Sequence, residues 1–217
     1  MFKTFLYTGA AAALLAITAC SDTSGAAESQ KPVAKATQAV NSYDALAVPS
    51  GTYTMDKTHG YVTFIYLHKG LSNPVLRFDD VDATLVLDAD KPENSQIDVT
   101  ITAENIDSGV AKFDAHLKSP DFFDTAKNPT ITFKSTSFTR ASATTGTMTG
   151  DLTMMGTTKP VTFDVSLVGT DDGKKPAIGV EGTTKILRSD FALGKYVPRV
   201  GDAVTISVSA EFYKDVK

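Results

Sequence analysis

Three histidines and one cysteine are the side chains of this 217-residue chain best suited to bind a metal ion. No pair among His59, His68 and His116 has the i, i+4 spacing with which a zinc protease helix presents two ligands. His59 and His68 are near enough in the sequence to meet across a hairpin, but two ligands make a weak site. A lone cysteine cannot complete a structural zinc set. We therefore predict no metal site.

A hydrolytic site needs a nucleophile, a base and an orienting acid within reach of one another. Ser189 and Asp190 are adjacent, and a histidine placed beside them would complete such a set. The sequence has no Gly-x-Ser-x-Gly elbow, however, and no glycine-rich phosphate loop. We predict that the protein is not an enzyme and has no catalytic residues, with a hydrolase as the less favoured alternative.

The cysteine has a different predicted role, as the attachment point of a lipid. The first twenty residues contain a lysine, an apolar run and then small residues, which is typical of a cleaved export signal. Cys20 follows Ile17-Thr18-Ala19, which resembles a bacterial lipobox, where the cysteine is acylated and becomes the new N-terminus. The alternative is cleavage near residues 26–27, which discards the cysteine. We predict a lipoprotein signal peptide over residues 1–19.

The segment after Cys20 predicts how the protein is held in the cell. In lipoproteins of this type an aspartate directly after the cysteine favours retention at the inner membrane, and Ser21 occupies that place. We predict a lipid-anchored protein on the periplasmic side of the cell envelope, with the outer membrane preferred over the inner. Residues 20–50 have no apolar period and few aromatic residues, so we predict a lipidated N-terminus followed by a flexible tether.

Charge and hydropathy exclude two further classes of function. The net charge is -4 and the basic residues are scattered, whereas nucleic-acid binding needs a clustered basic surface. After residue 20 no segment approaches the roughly 20 apolar residues that span a bilayer. We predict no nucleic-acid partner, and membrane contact only through the acyl anchor.

From residue 51 onward, apolar and polar residues alternate. Clear examples are residues 81–87, 97–103, 161–167 and 204–212. Alternation with a period of two predicts strands with one dry and one wet face. Short polar turns between these strands indicate an antiparallel sandwich or barrel and not a βαβ fold.

Two segments depart from this alternation. Residues 110–127 carry aromatic and apolar residues at irregular helical spacing, and Ser119-Pro120-Asp121 has the composition of a helix start. We predict a short helical insertion that lies across one mouth of a barrel or covers one side.

The strand over residues 61–68 is apolar on both faces. Its second face is therefore either covered by this helix or exposed as a patch that contacts a membrane or a partner. That second face consists of Tyr61, Ile65 and Leu67.

Several motifs follow one another from about Thr52 to the end of the chain. They are Tyr53-Thr54-Met55-Asp56 with His59, Val62, Phe64, His68 and Gly70, then His116-Leu117-Lys118-Ser119-Pro120-Asp121-Phe122-Phe123-Asp124, Asn128-Pro129-Thr130-Ile131-Thr132-Phe133, Gly150-Asp151-Leu152-Thr153, Gly156-Thr157-Thr158-Lys159-Pro160-Val161 and Arg188-Ser189-Asp190-Phe191. In this order they resemble the YceI-like family of polyisoprenoid-binding envelope proteins. Leu187 and Ala192 stand where Asn and Gly are frequent, which affects local loop detail.

The resemblance implies an all-β fold, an eight-stranded antiparallel lipocalin-like barrel with a long apolar cavity, over residues 51–217. We predict that the apolar strand faces line that cavity and that His68 and His116 mark its mouth. The candidate ligand-cavity residues are then Val62, Phe64, Tyr66, His68, Leu85, Leu87, Val99, Ile101, His116, Phe133, Leu152, Met154, Phe163 and Val165. The alternative is that these side chains simply fill a closed core.

The predicted function follows from the resemblance together with these faces. We predict that the protein binds and sequesters or carries a long apolar amphiphile, such as a polyisoprenoid or quinone, in the bacterial cell envelope. The resemblance implies no cofactor other than such a bound lipid. An envelope stress or protein-interaction module without a ligand is the alternative, and protein partners are left open.

Overall fold

The computed structural model describes residues 45–215, and every structural statement below concerns this range. It contains one α-helix and ten β-strands: β1 (Gly51–His68), β2 (Val75–Phe78), β3 (Val81–Leu87), β4 (Gln96–Thr102), β5 (Ile106–Asp107), α1 (Ala111–Lys118), β6 (Thr130–Arg140), β7 (Thr145–Met154), β8 (Thr157–Asp171), β9 (Ala177–Leu187) and β10 (Val200–Lys214). The predicted signal peptide, Cys20 and most of the predicted tether lie outside the described residues.

Eight of the strands form a closed antiparallel barrel. Neighbours pair in the order β1-β3-β4-β6-β7-β8-β9-β10, and β10 pairs with β1 to close the ring. The closing seam runs from the Tyr53–Lys214 pair to the His68–Val200 pair. The short strands β2 and β5 lie outside this ring, with β2 paired to the second half of β1. The prediction of an eight-stranded antiparallel barrel is confirmed.

The alternation seen in the sequence becomes the inside and the outside of this barrel. In β3, Val81, Ala83, Leu85 and Leu87 are buried, and the three residues between them are exposed. The reason is geometric, because successive side chains of a strand point to opposite faces of the sheet.

The barrel has two ends with different coverings. At one end, which we call the helix mouth, lie α1 and the segments 67–80 and 188–199. At the other, which we call the far mouth, lie the shorter connections 88–95, 141–144 and 172–176. The functional site extends between these two mouths.

The helical insertion lies within the predicted range, but its predicted start is wrong. The helix ends at Lys118, and Ser119 follows it instead of preceding it. The Ser119 hydroxyl donates to the His116 carbonyl over 2.6 Å, so it satisfies an acceptor at the end of the helix. Pro120 is compatible with that end, because proline disfavours helical backbone in the residue before it.

The helix does not cover the second apolar face of β1. Tyr61 remains 51% exposed and Leu67 46% exposed, because α1 lies at the mouth and not against the side of the barrel. The prediction that the helical insertion covers this face of β1 is therefore wrong.

The packed part of the chain begins before Gly51. Val48 is buried, and the backbone N–H of Leu46 donates a hydrogen bond to the Ala89 carbonyl over 2.9 Å. The last residues of the predicted tether therefore lie against the barrel. No helix within residues 45–215 has the length and apolar character needed to cross a bilayer.

Gly150 in β7 tests the packing of the wall. A Cβ atom at this position would lie 2.5 Å from the Lys134 carbonyl oxygen and against the ring of Phe133. We expect Gly150→Ala to lower the free energy of unfolding by about 1–3 kcal/mol, measured by urea denaturation. Gly169→Ala in β8 is the control, since nothing lies within 4 Å of its added carbon. Equal losses in both variants would contradict this account of Gly150.

Candidate functional site

The inward faces of the barrel strands enclose a cavity of about 510 Å³. This volume lies within the range of about 300–1,000 Å³ that is typical of small-molecule sites. Phe64, Val99, Phe133 and Phe163 line the cavity but are only partly buried, because one side of each faces the open interior. The centre of the barrel is therefore hollow.

The structure places all fourteen candidate ligand-cavity residues on the wall of this cavity. Residues from the barrel strands line its length, whereas His68 and His116 lie at the helix mouth. The alternative of a closed, filled core is not what the structure describes. Whether these fourteen residues contact a ligand stays a prediction.

Sequence reasoning missed many wall residues, and two groups of them show why. The first comprises Val204, Ile206 and Val208 of β10, whose alternation predicted the strand but was not carried into the wall. The second comprises Phe113, Leu117, Phe122 and Phe123 from the helical segment. The signal for the first group was present, since the same alternation marks the other wall strands. Nothing in the sequence gives the orientation of the helical segment.

Phenylalanine rings pack against each other in two groups in the cavity wall. The rings of Phe133 and Phe163 meet edge to face with centroids 5.3 Å apart. Phe78 contacts Phe64 at 5.5 Å and Phe123 at 5.7 Å, which links β1 and β2 to the helical segment. Offset and edge-to-face contacts of this kind hold the rings in defined positions.

Asp121 joins the two segments that lie across the helix mouth. Its carboxylate accepts hydrogen bonds from Lys195 Nζ and, over 3.0 Å, from the Tyr196 hydroxyl. It also pairs with His116 Nε2 at 3.2 Å. The rings of His116, Phe122 and Tyr196 pack against one another in a triangle: the Phe122 centroid lies 5.0 Å from that of His116 and 5.6 Å from that of Tyr196, and the last two are 6.3 Å apart. We call these five residues the latch. Hydrogen bonds from Lys195, then His116 and Tyr196, lower the pKa of Asp121 to about 2.

Arg188 positions the loop that carries two of the five latch residues, Lys195 and Tyr196. Its guanidinium is buried and donates to four backbone carbonyls, those of Leu193, Lys195, Val200 and Gly201. Burial lowers the pKa of Arg188 because it removes water from the charged guanidinium. Hydrogen bonds to the four carbonyl acceptors compensate this cost of burial. Arg188 belongs to the last sequence motif, and this arrangement gives the motif a structural role.

The far mouth has no comparable latch within the described residues. Its lining combines a short turn with the ends of neighbouring strands, and its polar members include Arg140, Ser142, Thr144 and Glu181. Arg140 donates to the Ala143 carbonyl over 3.2 Å. The cavity is thus apolar along its length, with polar groups gathered at its two ends.

The remaining chemistry-bearing residues lie away from the cavity. His59 and His68 cannot converge across a hairpin, because both belong to β1. His59 instead lies 2.9 Å from Asp56 and 4.0 Å from Glu211, and these three form the group of potential metal ligands within residues 45–215. The hydrogen bond to Asp56 raises the pKa of His59, as expected for a surface ion pair. The predicted absence of a metal site stays a prediction.

The Ser189–Asp190 pair does not form the imagined hydrolytic set. The Ser189 hydroxyl donates to Asp202 over 2.7 Å, and Asp190 pairs with Lys159 at 2.9 Å. His116 pairs with Asp121 and His59 with Asp56, so each has an acidic partner elsewhere. This serine therefore has a carboxylate neighbour in place of an imidazole base.

A closed eight-stranded antiparallel barrel around an apolar cavity defines the class of lipocalin-like β-barrels, whose interior has room for one small molecule. The family profile described as YceI-like domain matches residues 53–212. The protein therefore belongs to the YceI-like family.

Known proteins agree with this assignment. A protein described as UPF0312 protein from Ectopseudomonas mendocina is 36% identical over 165 residues, covering 73% of this chain and 85% of that protein. The crystal structure of Burkholderia cenocepacia BcnA shares the fold, with a TM-score of 0.67, 24% identity and coverage of 72% of this chain and 98% of BcnA. A polyisoprenoid binding domain from Saccharophagus degradans has a TM-score of 0.59, 12% identity and coverage of 75% and 98%.

The latch makes a prediction about the ionisation of Asp121. Because Lys195 is the leading cause of its low pKa, we expect Lys195→Ala to raise that pKa from about 2 towards the ordinary value of 3.8. A carboxylate with a lowered pKa stabilises the fold above its ordinary pKa, and this contribution is lost as the pH falls from about 4 towards 2. An NMR titration of the carboxyl carbon measures the shift.

The control is Lys112→Ala, since Lys112 lies on α1 and forms no ion pair with any described residue. This variant should leave the titration of Asp121 unchanged. If the pKa of Asp121 stays at about 2 in Lys195→Ala, the leading role of Lys195 is wrong.

Proposed function

We propose that this barrel binds a long apolar amphiphile, such as a polyisoprenoid or quinone, and sequesters or carries it without chemical change. The observation that carries the proposal is the hollow of about 510 Å³ lined along its length by apolar side chains. The fold shared with a polyisoprenoid binding domain supports the same ligand class.

The shape of the cavity suits a chain with one polar end. Its lining includes residues from both mouths, so an elongated molecule can lie along the barrel axis. Transfer from water favours burial by about 0.8 kcal/mol per CH₂ group, so one prenyl unit contributes a few kcal/mol before entropic costs. Polar groups occur near the mouths, where a headgroup would find His68 and His116 at one end and Arg140 at the other.

A binding role without catalysis is supported by the geometry of Ser189. Its hydroxyl is paired with Asp202, and no serine of the sequence stands in a Gly-x-Ser-x-Gly elbow. A ligand-free interaction module is the competing function. The unfilled centre favours the ligand, because a hollow lined by apolar groups forfeits contacts that a packed core would make.

We further propose that the barrel acts at the periplasmic side of the cell envelope, anchored through an acylated Cys20. The lipobox-like sequence before Cys20 and the export signal support this location. A polar barrel exterior with an apolar interior suits transport of a lipid chain through an aqueous compartment.

The ligand proposal is tested by a charge placed on the cavity wall. Phe64 lines the cavity, and a carboxylate there would face an apolar environment. We expect Phe64→Asp to lower the amount of co-purifying lipid roughly ten-fold or more, measured by organic extraction and mass spectrometry. Circular dichroism should show an unchanged content of strands.

Val86→Asp is the matched control, because Val86 is 50% exposed on the outer face of β3. It should retain the parent's lipid content. Val99→Trp narrows the cavity without adding charge, and it should favour shorter lipids over longer ones. Lipid content that is equal in Phe64→Asp and the parent, or absent from the parent itself, would refute the ligand proposal.

The anchor is tested separately from the ligand. We expect Cys20→Ala to abolish incorporation of labelled palmitate in bacterial cells, because the cysteine sulfur and the amine that it exposes after cleavage are the acylated groups. Loss of the label together with release of the protein from membranes supports the anchor. Labelling that survives the substitution contradicts it.

A further inference from the structure

We propose that the helix mouth carries a docking surface for an anionic phospholipid bilayer. This surface, which we call the rim, consists of residues 67–77 and 193–201. The inference rests on the proposed function, since a barrel that carries a lipid must exchange it with a membrane. It adds which end of the barrel meets the membrane and which side chains make the contact.

Exposed apolar side chains are concentrated on the rim. Ten large hydrophobic residues are exposed within residues 45–215, and five of them lie in these two short segments. They are Leu67, Leu71, Val75, Tyr196 and Val197. Leu71 is the most exposed at 84%, and it lies in the turn between β1 and β2. The far mouth has no such concentration among the described residues.

The charge of the rim has the opposite sign to that of the chain. Its two segments contain Lys69, Arg77, Lys195 and Arg199 and no aspartate or glutamate, whereas the whole chain has a net charge of -4. Arg77 and Lys195 are paired with acidic residues outside the rim. Lys69 and Arg199 form no ion pair with any described residue. Their charges are therefore available to phosphate groups.

The two rim segments form one continuous surface. The Lys69 N–H donates to the Arg199 carbonyl over 3.2 Å, and His68 pairs with Val200 across the barrel seam. A shallow groove between them is lined by Leu67, Lys69, Gly70, Pro198, Arg199 and Gly201. Apolar side chains next to free cations are the combination that binds membrane interfaces, where chains insert and cations meet anionic headgroups.

The rim also adjoins the cavity. His68, Tyr196 and Val200 belong to the rim segments and line the cavity at the same time. Tyr196 is in addition part of the latch, through its bond to Asp121. A bilayer seated on the rim would therefore lie directly at the mouth through which a lipid chain passes.

The test compares binding to vesicles of phosphatidylcholine with binding to vesicles of phosphatidylcholine and phosphatidylglycerol in equal parts. Every preparation is the full chain carrying Cys20→Ala, so that no acyl anchor contributes. We expect preferential sedimentation with the anionic vesicles, weakened by salt. The double change Lys69→Glu and Arg199→Glu should weaken that binding roughly ten- to hundred-fold, and Leu71→Asp should also weaken it.

The control is Val168→Asp, since Val168 is 65% exposed and lies in β8 near its far-mouth end, away from the rim. It should bind anionic vesicles like the parent. Equal binding by the rim variants and this control, or equal binding to both vesicle types, would overturn the docking surface. Lipid content measured in the same preparations separates the two proposals: rim variants that keep their lipid leave the carrier function intact, and a parent without lipid refutes it.

Discussion

The pairing of β10 with β1 is the interaction on which the rest of the structure depends. It closes the sheet into a ring, so that each barrel strand has a hydrogen-bonded neighbour on both sides. A closed ring is supported by its backbone ladders and by side-chain contacts along the wall, such as that between Phe133 and Phe163. The centre can therefore remain hollow, and the apolar strand faces that would fill a small core become the wall of a cavity.

The seam also determines what the mouth can do. β1 continues through His68 into the turn that holds Lys69 and Leu71, and β10 begins directly after the loop that Arg188 organises. The buried guanidinium replaces water by four carbonyl acceptors, and a change there would leave several of them without a donor. The same loop presents Lys195 and Tyr196 to Asp121. The latch contacts across the helix mouth and the proposed membrane contact thus both depend on the loop over residues 188–199.

The alternation of side chains predicted an antiparallel sandwich or barrel and part of the cavity wall. Leu85 and Leu87, Val99 and Ile101, Phe163 and Val165 all lie where a period of two places them, because strand geometry leaves only two faces. The motifs then selected the family and, with it, a hollow barrel over a filled one. Prediction failed where local sequence was ambiguous. Ser119 and Pro120 are compatible with either end of a helix, and only the hydrogen bond to His116 assigns them to its end.

The sequence by itself determined the strands and their inner faces, and its motifs implied the family and with it the number of barrel strands. The tertiary structure decided which residues meet. Asp121 joins Lys195, and His59 lies beside Glu211, although 74 and 152 residues separate them along the chain. Barrel closure creates such contacts, and periodicity carries no information about them because it describes each strand alone. For the same reason, the concentration of exposed apolar and unpaired basic side chains at one mouth emerges only once the strands are assembled.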